Sequence, residues 1–68
     1  MQVRFEALMG LAVVTILDTT LDMIPVKGDI VTLGPPNEQK DYRVDSVNWR
    51  LDPSGKLWRV NIVLTSPY

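Results

Sequence analysis

A small all-β domain is what these 68 residues predict: a single antiparallel meander of about five short strands, curled into an SH3-like barrel or a strongly twisted sheet. Three observations carry that expectation. Residues 42–65 form two alternating arms joined by Asp52-Pro53-Ser54-Gly55. Apolar runs, most of them rich in β-branched residues, recur at 3–8, 11–17 and 30–33, and Gly or Pro stands in the gaps between runs.

Taken in order, residues 2–8 alternate, with Val3, Phe5 and Ala7 against Gln2, Arg4, Glu6 and Leu8, which predicts a strand with one wetter face. Met9-Gly10 marks a turn or kink. Residues 11–17 contain Val13, Val14, Thr15 and Ile16 and are nearly continuous in hydrophobicity, which predicts a strand covered on both faces. One long strand bent at Gly10 is the competing reading. Asp18-Thr19-Thr20 ahead of Leu21-Asp22-Met23-Ile24 predicts one short helical turn near 18–24, capped by Asp18 and ended by Pro25. Pro25-Val26-Lys27-Gly28-Asp29 reads as a turn that Asp29 stabilises. Residues 30–33 then resume as a strand, and 34–41, with Pro35 and Pro36, form an exposed loop.

In the C-terminal hairpin Asp52 is placed to bond its own downstream backbone, Pro53 presets the first turn corner, and Gly55 takes a positive φ. On the returning arm Trp58, Val60, Ile62 and Leu64 share one side, while Leu57, Arg59, Asn61, Val63 and Thr65 share the other. On the outgoing arm Tyr42 and Val44 have a parity that Val47, Trp49 and Leu51 lack. A bulge near Asp45-Ser46 restores the register, and a break between two short strands is the alternative. Trp49 and Trp58 fall in phase with aliphatic neighbours and are expected to anchor the core; an exposed indole would be a contact residue instead.

The length predicts one domain spanning 1–68, one that buries only about 60% of the surface its unfolded chain exposes. Because residues 8–17 supply more apolar surface than so small a barrel can cover, a homodimer is expected. The chain has no Cys and no His, which excludes disulfides, zinc-finger-type sites, thiol nucleophiles and His-based acid/base pairs. The absence of disulfides suits a reducing cytosol, so a cytoplasmic location is expected. The apolar stretch 7–17 is too short to span a bilayer and has no basic segment before it, so no membrane role is expected. Asp18, Asp22 and Asp29 match no calcium loop, and there is no Gly-rich phosphate cradle. The expectation is therefore no metal, no cofactor and no enzyme.

The segment Ile24-Pro25-Val26-Lys27-Gly28-Asp29-Ile30-Val31-Thr32-Leu33, then Tyr42-Arg43-Val44 and Val47-Asn48-Trp49, then a closing apolar strand, resembles small uncharacterised β-domain proteins of bacteriophages and bacteria. The resemblance covers roughly residues 24–65 and brings no catalytic or binding residues with it. It implies a phage or mobile-element accessory or inhibitor protein, acting in the host cytosol.

Charge is the feature that points outward. Residues 1–39 hold Arg4 and Lys27 against Glu6, Asp18, Asp22, Asp29 and Glu38, a net of −3; residues 40–68 hold Lys40, Arg43, Arg50, Lys56 and Arg59 against Asp41, Asp45 and Asp52, a net of +2. Arg43, Asn48, Arg50, Arg59 and Asn61 are predicted to form a polar strip on the solvent side of the hairpin, suited to an acidic partner or to phosphates. The plain alternative is that they are solvated side chains paired across strands with Asp45 or Asp52. Three functions follow. The first is a non-enzymatic module that binds another protein. The second is a minor virion or assembly protein that adds an edge strand to a neighbour's sheet. The third is a nucleic-acid-binding barrel using Arg43, Arg50 and Arg59.

Overall fold

A computed structural model describes the backbone of residues 1–67 and their side chains except that of Met9. Five strands follow one another: β1 (Gln2–Met9), β2 (Ala12–Thr20), β3 (Ile30–Leu33), β4 (Lys40–Leu51) and β5 (Leu57–Thr65). They form one curled, half-barrel sheet in the order β2-β1-β5-β4-β3.

That order corrects the meander. β5 lies between β1 and β4, antiparallel to β4 and parallel to β1, with Val3 opposite Val60 and Phe5 opposite Ile62. The reason is burial. β5 carries the run Val60, Ile62, Leu64, and a central position is the one that closes all three off from solvent; they are fully buried with Val3, Phe5 and Val44. The chain returns from β2 to β3 by crossing the core side, where Leu21 and Ile24 pack on that cluster.

The helical turn expected near 18–24 is absent. The described residues contain no helix: β2 runs on through Thr20, and 21–29 are bends, turns and irregular chain. Asp18 is not a cap but a strand residue opposite Arg4. Strand pairing along β1 satisfies the backbone there, and Leu21 extends it by exchanging two 2.9 Å hydrogen bonds with Met1. Pairing already in hand outcompetes a single helical turn, which fixes several dihedrals for one bond.

The turns follow their side-chain chemistry. Asp52 Oδ1 accepts from the Ser54 N–H at 2.9 Å, the Ser54 hydroxyl at 2.6 Å and the Lys56 N–H at 2.9 Å. These bonds, led by the one from Ser54, hold the Asp52 carboxyl below the usual carboxylate range. Gly55 takes φ 84°, as the hairpin requires. Asp29 accepts from the Val26 N–H at 2.9 Å. The expected bulge is also present, with the β4–β5 register shifting between Val44 and Ser46. Val44, still opposite Leu64 on one side, donates on the other to the Asp29 carbonyl at 2.8 Å and accepts from the Gly28 N–H at 2.9 Å, which fastens the start of β3.

The apolar stretch 11–17 departs furthest from expectation. It is a strand, but not a covered one: every residue from Leu11 to Leu17 is exposed, because β2 sits at the sheet's edge with no layer over either face.

Candidate functional site

Alternation along β5 sends Arg59, Asn61 and Val63 to the side opposite the core. Register then brings β4 residues beside them, with Arg50 opposite Arg59 and Asn48 opposite Asn61. Four of the five strip residues are thus brought together. Arg43 lies apart: it pairs with Thr65, four residues beyond Asn61 and on the far side of the bulge, roughly 13 Å away along the strand.

The strip has a member that the hairpin alone does not reveal. Arg4 stands opposite Asn61 in the parallel β1–β5 register, and Asp18 stands opposite Arg4 on β2. Arg4 Nε donates to Asp18 Oδ1 at 2.8 Å and Nη2 to Oδ2 at 3.3 Å, an exposed bidentate pair. The hydrogen bond from Arg4 is the main cause of the lowered Asp18 pKa, with a smaller contribution from the charge on Arg59; the same bond raises the Arg4 pKa. The sequence signal for Arg4 was its place on the wet parity of β1. Its neighbourhood was invisible because a parallel contact between the first and last strands leaves no local trace.

Asn61 is 7% exposed, sunk among longer side chains, and its Oδ1 has no hydrogen-bond partner; Arg59 Nε is likewise enclosed and unpartnered. Buried polar atoms normally find partners, so two on adjacent same-face positions of one strand mark a place with bonding capacity held open. Among the described residues none of Arg43, Arg50 and Arg59 is ion-paired, and two like charges face each other across Arg50 and Arg59, an arrangement that disfavours the sheet by itself. The alternative, ion pairing across strands with Asp45 or Asp52, does not occur among the described residues.

Neither tryptophan anchors the core; each is 51% exposed. A second register shift, between Arg50 and Leu51, makes Trp58 the extra residue at the start of β5, and its ring lies 4.5 Å from the Arg59 guanidinium carbon. With Gln2, Arg4, Asp18, Thr19, Thr20 and Arg59 it borders a shallow polar groove. Trp49, opposite Val60, lies at the core margin beside Ile24, Pro25 and Val47. In-phase spacing placed both on the core side; at Trp49 the sheet is too narrow to cover the ring, and at Trp58 the register shift takes the residue out of phase with Val60 and lays its ring against Arg59.

No group of His, Cys, Asp or Glu among the described residues is arranged to hold a metal ion. No family model, curated protein or solved structure matches the chain.

Proposed function

We propose that this is a non-enzymatic protein-binding module whose Arg50, Arg59, Asn48 and Asn61 face grips an acidic segment of another protein, with Trp58 as its apolar anchor. The observation that carries the reading is the pair of enclosed, unpartnered atoms, Arg59 Nε and Asn61 Oδ1, beside the unpaired Arg50. One is a donor and the other an acceptor. A simple anion answers only the donor; an acidic peptide brings carboxylates for the guanidinium groups and N–H groups for the Asn61 oxygen. The supporting inventory is a chain without His or Cys and a net charge of −1, which argues against a grip on phosphate backbones.

An array of acidic peptides probed with the wild-type chain tests this. Binding that falls at least tenfold in Arg50→Glu and in Arg59→Glu, and weakens as salt rises, is the expected result. Retention of the same peptides by both variants overturns it. Tighter binding to short single strands, lost in Trp58→Ala, would favour a nucleic-acid role, since an exposed indole beside an arginine also suits base stacking.

A further inference from the structure

We infer that β2 is a self-association edge: two copies pair β2 against β2, antiparallel about a two-fold axis, into one continuous ten-stranded sheet. The inference stands on a different surface from the arginine face and does not rest on its reading.

An edge strand presents unpaired N–H and C=O groups, and monomeric proteins blunt it with charges, prolines, bulges, brevity or cover. β2 has nine residues, no proline and no lysine, and its one charge, Asp18, is held by Arg4. Val13 is 52% exposed and Val14 48%, on opposite faces, so no covering layer exists. A bulge at Ile16, where the register steps from Phe5–Leu17 to Glu6–Thr15, blunts the second half of β2 and leaves residues 12–15 as the open regular edge. All four are uncharged.

Why a second copy fits follows from symmetry. An antiparallel pair of identical strands has its two-fold axis normal to the sheet, so each residue keeps its face and the axis passes midway between one residue and its own copy, here Val13 or Val14. The apolar segment meets itself. The nearest charges, the two Asp18 carboxylates, fall at opposite ends, roughly 25–35 Å apart by strand rise and well beyond a Debye length of about 8 Å. The chain exposes 4972 Å² at 7.7 kDa, where a monomeric protein of that mass exposes roughly 4,300 Å². The open sheet as a whole thus leaves roughly 600 Å² more uncovered than its mass requires, and residues 12–15, exposed throughout, are part of that surplus. Because the sheet grows in its own plane, both arginine faces stay open and lie on the same side, which makes the dimer bivalent.

Sedimentation equilibrium from low to high micromolar concentration is expected to show conversion from 7.7 kDa to twice that mass, and Val14→Lys to lower the dimer association constant at least tenfold while far-UV circular dichroism stays β-type. As the chain has no cysteine, Val13→Cys and Val14→Cys report the axis directly. One of them should cross-link to its own copy under mild oxidation far faster than Ser54→Cys at the distant β4–β5 turn, and this readout decides the matter should Val14→Lys not fold. A single 7.7 kDa species throughout, a dimer indifferent to Val14→Lys, or cross-linking no faster than the Ser54→Cys control overturns the inference.

Discussion

β3 closes one side of the sheet with four residues, Pro25 upstream and Pro35-Pro36 downstream, whereas β2 closes the other with nine residues carrying neither proline nor lysine. The β3 edge is also fastened, through Val44 bonding Gly28 and Asp29 and through the Thr32 hydroxyl donating to Asp41 at 2.6 Å. That edge is short, flanked by prolines and tied firmly to β4. The other is longer and uncovered, blunted by the bulge at Ile16 and open at the uncharged residues 12–15, so the two rims of one small sheet are finished in different ways.

The same substitution made at the centre and at the open edge gives the widest separation. Ile62→Ala, in a fully buried position on β5, is expected to cost roughly 2–5 kcal/mol, while Ile16→Ala on β2 should cost under about 1 kcal/mol in the monomer; urea unfolding at low protein concentration compares them. Near-equal losses would mean that β2 belongs to the core after all.

The turns at the two edges differ next. An alanine Cβ at Gly34, where φ is 119°, would lie 2.6 Å from the Glu38 carbonyl oxygen; at Gly10, φ 66°, it meets nothing. Gly34→Ala should therefore destabilise by roughly 2–3 kcal/mol and Gly10→Ala by about 1 kcal/mol, read from the same denaturant curves. The reverse ranking would show that the β3 side is the looser one.

Acid is the mildest probe. Asp18 on β2 and Asp52 in the β4–β5 turn both have pKa values below the ordinary carboxylate value in the folded chain. Their contribution is present above that ordinary value, about 3.9, and is lost as pH falls through the lower folded values. Thermal melts between pH 5 and pH 2 should decline less steeply in Asp52→Asn than in the wild type. An unchanged slope would place the acid sensitivity elsewhere.

Much of this was legible locally. The Asp52 turn, the bulge at Asp45-Ser46 and the core parities of Val3, Phe5, Val60, Ile62 and Leu64 are dictated by neighbours within a few residues, and each occurs as read. The candidate face was half legible: Asn48, Arg50, Arg59 and Asn61 follow from hairpin alternation, but Arg4 joins them only because β1 lies parallel to β5. Trp49 was misread because period-two spacing assigns a side chain to a face without saying how far the covering layer extends, and Trp58 because that spacing does not reveal the register shift beside Leu51.

By itself, then, the order of residues determined that this is a β protein, where its strands turn and which side of its hairpin is dry. Only the tertiary arrangement decided that the last strand sits at the centre and that the apolar run of residues 11–17 sits uncovered at the rim. Strand order is set by which long-range contacts bury the most apolar surface, and a property of the whole sheet leaves no mark in any short stretch of chain.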